Sequence, residues 1–250
     1  MIHFVGAGPG APDLITLRGA KLLAEADVIL YAGSLVNPAL LEGRKPGCQV
    51  YNTAHMTLEE VLAVMERAGK SCEVVRLHTG DPSLYGAIRE QMDGLDRLNI
   101  PYDVTPGVSA FSGAAAALRA EYTLPNVSQT VIITRVEGRT PVPEGENLRD
   151  LARHQATMVL FLSAGLLPKV QEELLAGGYP PDTPAAIVYK ATWPDEKVFY
   201  CTVDSLAETA EKNGVSRTAL VTVGRFLEGD YARSRLYDPT FRHGWREAQL

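Results

Sequence analysis

Cysteine is scarce in this 250-residue chain. Cys48, Cys72 and Cys201 are too few and too scattered for a disulfide framework, and no CxxC pair offers the spacing of a structural zinc site. They read as buried thiols. The five histidines, His3, His55, His78, His154 and His243, show no HxxxH or HxH spacing, and no cysteine or carboxylate joins them at ligand spacing, so no metal centre is expected. Without Gly-Lys-Ser/Thr there is no P-loop, and without GxSxG there is no support for a serine hydrolase. The longest apolar stretch, residues 158–167, contains Ser163 and Gly165 and stops at Pro168. That is short of the ~20 residues a spanning helix needs. Positive charge is in deficit: 24 Lys+Arg against 30 Asp+Glu give a net charge of −6 with no dense basic run. Nucleic acid and membrane are therefore not expected as partners. Met1 is followed at once by the strand-like run 2–5, which leaves no room for a basic and then apolar leader, and the expected location is the cytoplasm.

What is present is ordinary globular composition, 46% hydrophobic and 22% charged, with 22 Gly and 16 Pro. This excludes collagenous, coiled-coil and disordered chains. Short β-type runs alternate with longer helical ones, the pattern of stacked βα units around a largely buried sheet. Strands are predicted at 2–5, 28–31, 74–77 and 102–104, then at 130–134, 158–162, 186–189, 197–202 and 220–223. Ile15, Gly19, Leu22, Leu23 and Ala26 form one helical face. A helix over 58–68 carries a capping box, Thr57 with Glu60, and Gly69 just past its end. Leu84, Ile88, Met92 and Leu95 give an amphipathic helix directly after Gly80-Asp81-Pro82. Further helices are expected at 110–119, at 165–176 and at 205–213, the last with a Ser205/Glu208 capping box. The polar, proline-bearing stretch 121–126 marks a boundary, so the fold class is α/β with two domains, 1–120 and 121–250. Residues 136–147, with two prolines and two glycines, form a long loop of the kind that is often functional.

Several motifs sit where strands end. Gly6-Ala7-Gly8-Pro9-Gly10-Ala11 formally satisfies GxGxxA, but Pro9 and Pro12 lack the N–H groups that meet a pyrophosphate, and the next strand ends in Tyr31-Ala32-Gly33 without an acid for a ribose. It is either a tight strand-to-helix turn or a loop that lets a non-phosphate ligand approach the backbone. Asp81, in His78-Thr79-Gly80-Asp81-Pro82, either accepts hydrogen bonds from an ammonium or ribose hydroxyl or caps the following helix. The turn 105–110 opens a helix of small residues that leaves space for a ligand or for a neighbouring backbone. Arg135 and Lys190 lie at strand ends in the second half, as surface ion pairs or as ligand-binding cations.

In order and spacing, GAGPGAPDLIT (6–16), ADVILYAGSLV (26–36), TGDPSLYG (79–86), PGVSAFS (106–112), the Thr130/Thr134/Arg135 cluster, MVLFLSA (158–164), YKATWPDEK (189–197) and TALVTVGR (218–225) resemble the tetrapyrrole methylases of corrin and siroheme biosynthesis. The resemblance spans essentially the whole chain. It implies two α/β domains with an active-site cleft between them, a homodimer, no Rossmann methyltransferase topology, and S-adenosylmethionine as methyl donor with S-adenosylhomocysteine as product. It implies cofactor contacts at Pro9, Thr79, Gly80, Asp81, Leu84, Ser109, Ala110, Leu162, Ala191 and Thr218. The runs 31–36 and 53–60 are most similar to members that methylate C11 of precorrin-4, with another precorrin position or the cobalt-bearing precursor as alternatives. Members acting on uroporphyrinogen III carry an Asp near 32–33 and a basic residue near 54–55. Here those positions read Ala32-Gly33 and Ala54-His55, which points away from that substrate and leaves His55 as a weak candidate base. A polycarboxylate tetrapyrrole on a net-negative protein requires locally concentrated cations, and Arg18, Arg135, Arg139 and Lys190 are the candidates.

Overall fold

A computed structural model describes residues 1–33 and 35–247. Ser34, inside the 31–36 run, and residues 248–250 lie outside the described residues. Two sheets organise the chain, and by contact it divides into one unit of Met1–Ala114 with Lys190–Glu196 and another of Ala115–Tyr189 with Lys197–Leu250. The sequence reading places a single cut after residue 120.

In the first unit, β1 (Ile2–Gly6), β2 (Val28–Tyr31), β3 (Gln49–Asn52), β4 (Val74–His78) and β5 (Tyr102–Thr105) form an all-parallel sheet ordered β3-β2-β4-β1-β5. The central strands β1 and β4 are buried along their whole length, and so read as continuous apolar runs rather than as alternation. β3 was not expected: it is an edge strand of four mostly exposed residues with no apolar pattern. One face of the sheet packs Phe4, Leu30 and Val74 against α2 (Leu58–Gly69) and α3 (Ile88–Arg97). The other packs Val5, Ile29 and Leu77 against α1 (Leu17–Glu25) and the turn Pro38–Leu41. The α2 capping box forms as expected, with Glu60 N–H donating to Thr57 Oγ1 at 3.3 Å and Thr57 N–H to Glu60 Oε2 at 2.8 Å. Gly69 is the last helical residue, not the residue beyond, and its Cα lies against Ile2. A Rossmann order would set β1 between β2 and β4; here β4 separates β2 from β1, so the sheet does not have the Rossmann strand order.

In the second unit, β6 (Val131–Thr134), β7 (Thr157–Leu160), β8 (Pro184–Tyr189), β9 (Lys197–Thr202) and β10 (Ala219–Val223) are ordered β6-β7-β10-β8-β9. Only β6 and β7 are parallel; every other pairing is antiparallel. Helices α5 (Leu148–Ala152), α6 (Leu167–Ala176) and α7 (Leu206–Lys212) pack over Met158, Leu160, Ile187 and Val221. The helix α4 (Ala110–Leu118) runs across the division between units. Two local expectations are corrected. Ser205 makes no side-chain cap to α7; it closes a box with Thr202 around the preceding 3-10 turn. β7 ends at Leu160, since Leu162 takes a left-handed φ of 52°. No helix among the described residues is long and apolar enough to cross a membrane.

Candidate functional site

At the carboxyl edge of the parallel sheet, three strand ends cross as bare backbone. A Cβ on Gly107 would lie 2.2 Å from Gly80 O and 2.7 Å from Gly6 Cα, and one on Gly6 would meet Gly107 Cα at 2.5 Å. Gly8 and Gly80 bridge, with Gly80 N–H donating to Gly8 O at 2.8 Å and Gly8 N–H to Gly80 O at 3.3 Å. Gly6 and Gly107 are thus required by main-chain packing, and Gly8 and Gly80 by their φ of +80° and +60°. Asp81 does not cap α3, which begins only at Ile88 after a turn with left-handed Tyr85 and Ala87. Its carboxylate accepts Gly107 N–H at 2.8 Å, Ser83 N–H at 2.9 Å and the Ser83 hydroxyl. Burial opposes its ionisation, but these bonds outweigh that and hold the carboxyl below the usual range. Around this stitch Thr79, Asp81, Leu84 and Ala110 keep part of their surface exposed, whereas Gly80 and Ser109 are buried.

The segment 190–196, counted with this unit, lies on the glycine loop. Trp193 Nε1 donates to Pro9 O at 3.1 Å, Ala11 N–H donates to Thr192 Oγ1 at 3.0 Å, and Gly10 sits against the Trp193 ring. Ala191 is buried beneath it. Lys190 Nζ bonds Asp195 at 2.6 Å and stands 5.4 Å over the Trp193 ring, so the ion-pair reading of Lys190 holds.

Sequence reasoning missed a polar cluster under the α3 face of the sheet. Arg76 is buried, donating from Nε to Gln91 Oε1 at 3.0 Å and from Nη1 to Leu30 and Leu77 carbonyls, with no carboxylate partner among the described residues. Burial lowers it to about 10, still charged at neutral pH. His78, two residues on, is buried with Nε2 unpartnered among the described residues. Desolvation first, and then the Arg76 charge, press it down to about 3, so its imidazole is neutral. An arginine inside the run 74–78 was the signal that could have found this cluster.

In the second unit, Arg135 follows β6, Leu162 follows β7 and Thr218 precedes β10. Strand pairing therefore sets all three at one sheet edge. Leu162 is 66% exposed, and both Leu162 and Thr218 adopt left-handed φ, 52° and 54°. Such conformations concentrate at functional sites. Arg135 donates to Thr140 O at 3.2 Å and Pro141 O at 2.5 Å, so it anchors the loop 136–147, which also carries exposed Arg139. Arg18, in the first turn of α1, is exposed, and neither Arg18 nor Arg139 has an ion pair among the described residues. His55 is exposed on the 3-10 turn Thr53–His55. No group of three or more His, Cys, Asp or Glu is placed to hold a metal ion among the described residues. The three cysteines are free and only half-buried, less enclosed than expected.

A family model described as tetrapyrrole (corrin/porphyrin) methylases matches residues 1–207. A cobalt-precorrin-4 C(11)-methyltransferase of Methanocaldococcus jannaschii is 54% identical over 249 residues, which are 99% of this chain and 96% of that one. A solved structure of a cobalt-precorrin-4 methyltransferase from cobalamin biosynthesis matches with a TM-score of 0.89 at 50% identity, covering 91% of this chain and 96% of its own. The uroporphyrin-III C-methyltransferase of Thermus thermophilus, solved with S-adenosylhomocysteine, matches with a TM-score of 0.76 at 30% identity over 90% of this chain and 98% of its own.

Proposed function

This chain belongs to the tetrapyrrole (corrin/porphyrin) methylases, and from that premise we propose that it transfers one methyl group from S-adenosylmethionine to C11 of precorrin-4, giving precorrin-5. The observation that carries this reading is 54% identity, over nearly the full length of both chains, to a relative named for that position. When bound, S-adenosylmethionine supplies an electrophilic methyl on a sulfonium and is released as S-adenosylhomocysteine.

The carboxyl edge of the parallel sheet fits such a group. It offers half-buried Thr79, Asp81, Leu84 and Ala110 over a backbone floor from which a Cβ is excluded at Gly6 and Gly107. In this reading Thr79, Asp81, Leu84 and Ala110 face the cofactor, while Pro9, Gly80, Ser109 and Ala191 support them. For Leu162 and Thr218, in the second unit, cofactor contact stays what the resemblance implies. Asp81, kept ionised by three donors, fixes the turns of β4 and β5 relative to each other and retains lone pairs for a ligand hydroxyl or ammonium. Arg18 and Arg139, without ion pairs among the described residues, take carboxylates of the tetrapyrrole, and Arg135 shapes the loop that presents Arg139. Lys190, neutralised by Asp195, contributes less. Catalysis is then mainly alignment and exclusion of water, and His55 is given no proton-transfer role. A homodimer and a cytoplasmic location belong to the same reading; light scattering on the purified protein tests the first.

The test is incubation with [13C-methyl]-S-adenosylmethionine and a precorrin-4-generating enzyme mixture, followed by carbon NMR. A labelled methyl at C11 that depends on this protein is expected, and uroporphyrinogen III incubated with this protein and the labelled donor alone is left unmodified. Double methylation of uroporphyrinogen III would place the chain elsewhere in the family. A second reading, the cobalt-bearing form of precorrin-4 as substrate, is favoured by the names of the 54%-identical relative and the 50%-identical structure. The same experiment with cobalt-loaded precursor decides between them.

A further inference from the structure

The turn Pro9-Gly10-Ala11 is held from outside by three side chains distant in sequence. Trp193 Nε1 donates to Pro9 O at 3.1 Å, Asn37 Nδ2 donates to Gly10 O at 2.9 Å, and Thr192 Oγ1 accepts from Ala11 N–H at 3.0 Å. Three consecutive residues thus each have a main-chain polar group bound by a side chain from elsewhere, an unusual concentration in a chain where most such bonds are backbone to backbone. Contact is equally close. A Cβ on Gly10 would fall 2.1 Å from Trp193 Cδ1, and one on Gly113 would fall 2.9 Å from Pro9 Cβ and 3.3 Å from Thr192 Cγ2. Thr192 reaches this position only by taking a left-handed φ of 68°, a conformation β-branched residues avoid. The segment is braced in turn: Thr192 N–H donates to Glu196 Oε2 at 2.5 Å, Trp193 N–H donates to Lys190 O at 3.0 Å, and Lys190 stands over the indole.

We propose that Asn37, Thr192 and Trp193 form a clamp that fixes the Pro9-Gly10-Ala11 backbone, making Trp193 and Thr192 positioning residues for the S-adenosylmethionine site. The inference rests on the cofactor reading of this sheet edge given above. The turn follows β1 directly and is bridged to Gly80 through Gly8, so its position sets that of the β4 turn carrying Thr79 and Asp81. Freed of the clamp, the turn must be ordered by the ligand itself, and the ordering free energy is subtracted from affinity.

The test uses full-length protein and S-adenosylhomocysteine in calorimetry, with steady-state kinetics alongside. Trp193→Phe keeps the ring and deletes the donor, and Thr192→Val keeps the shape and deletes the acceptor. Each is expected to weaken S-adenosylhomocysteine binding and raise KM for S-adenosylmethionine roughly three- to tenfold, as expected for one net hydrogen bond. KM for the tetrapyrrole should stay within about twofold, and Thr192→Ser, which retains the hydroxyl, should restore cofactor affinity. A merely structural role would lower the melting temperature without that split or that rescue. Wild-type binding in both Trp193→Phe and Thr192→Val overturns the clamp while leaving the cofactor reading intact. Failure of the wild type itself to bind S-adenosylhomocysteine overturns the cofactor reading, and the clamp with it.

Discussion

The two sheets end their strands in opposite ways. In the first unit β1 and the turns after β4 and β5 meet through Gly6, Gly80 and Gly107, with backbone on backbone and a carboxylate stitching two turns together. In the second, the edge formed after β6 and β7 and before β10 carries Arg135, Leu162 and Thr218, two of them side-chain-bearing residues held at positive φ. A glycine crossing gives a rigid floor of fixed main-chain groups. An edge of strained residues with side chains gives directed groups, each at a cost of about 1 kcal/mol or more. Fixed main chain suits a ligand of constant structure, whereas directed side chains can be shaped to one particular ligand.

The sharpest way to break this contrast is to add one methyl group to each edge. Gly107→Ala places a Cβ against two backbone segments that cannot rotate away, and a loss of about 3 kcal/mol or more is expected from the urea midpoint. Gly165→Ala, after β7, meets only Ser216 O at 3.2 Å and should cost less than about 1 kcal/mol. Equal losses would remove the distinction.

Acid sensitivity should also differ between the units. Buried polar side chains of the second unit, such as Thr157, Ser163 and Thr222, do not titrate, whereas the first buries His78 neutral. Its folded value of about 3 lies below the unfolded value, so as pH falls the unfolded chain takes the proton first. Its stabilisation is therefore complete above about pH 6.5 and is lost toward pH 3, by about 1.4 kcal/mol per unit. Urea titrations from pH 7 to 4.5 should show His78→Gln with a shallower decline than wild type. Parallel declines would mean that His78 is charged in the fold.

Much of this was legible in the sequence, and what was not has physical reasons. The all-parallel central strands and the α2 cap follow from continuous apolar runs and from Thr57 with Glu60. The ordered motifs 6–11, 79–84 and 106–110 do end strands at the carboxyl edge of the first sheet. The exposed edge strand β3 left no apolar pattern to read, and α3 starts late because the strained turn at Tyr85 and Ala87 overrides the helical spacing of Leu84. The purpose of the glycines was hidden because it lies in contacts between residues 6, 80 and 107. Trp193 touches a turn 184 positions away, a separation no local pattern encodes.

A smaller effect sharpens the division of labour. Asp81→Ala should weaken S-adenosylhomocysteine binding about tenfold, the worth of a charge-assisted hydrogen bond, with little change in tetrapyrrole KM. Arg139→Ala should do the reverse, raising tetrapyrrole KM severalfold and leaving S-adenosylhomocysteine affinity within about twofold. Calorimetry and steady-state kinetics on the same preparations check both, and a swap of the two phenotypes would exchange the assigned roles.

If the carboxyl edge of the parallel sheet holds the methyl donor, hydrogen–deuterium exchange with and without saturating S-adenosylhomocysteine registers it there. Added protection is expected in the turns 79–84 and 106–110, with the loop 136–147 unchanged. Saturable binding that leaves 79–84 and 106–110 exchanging as in the free protein would contradict it.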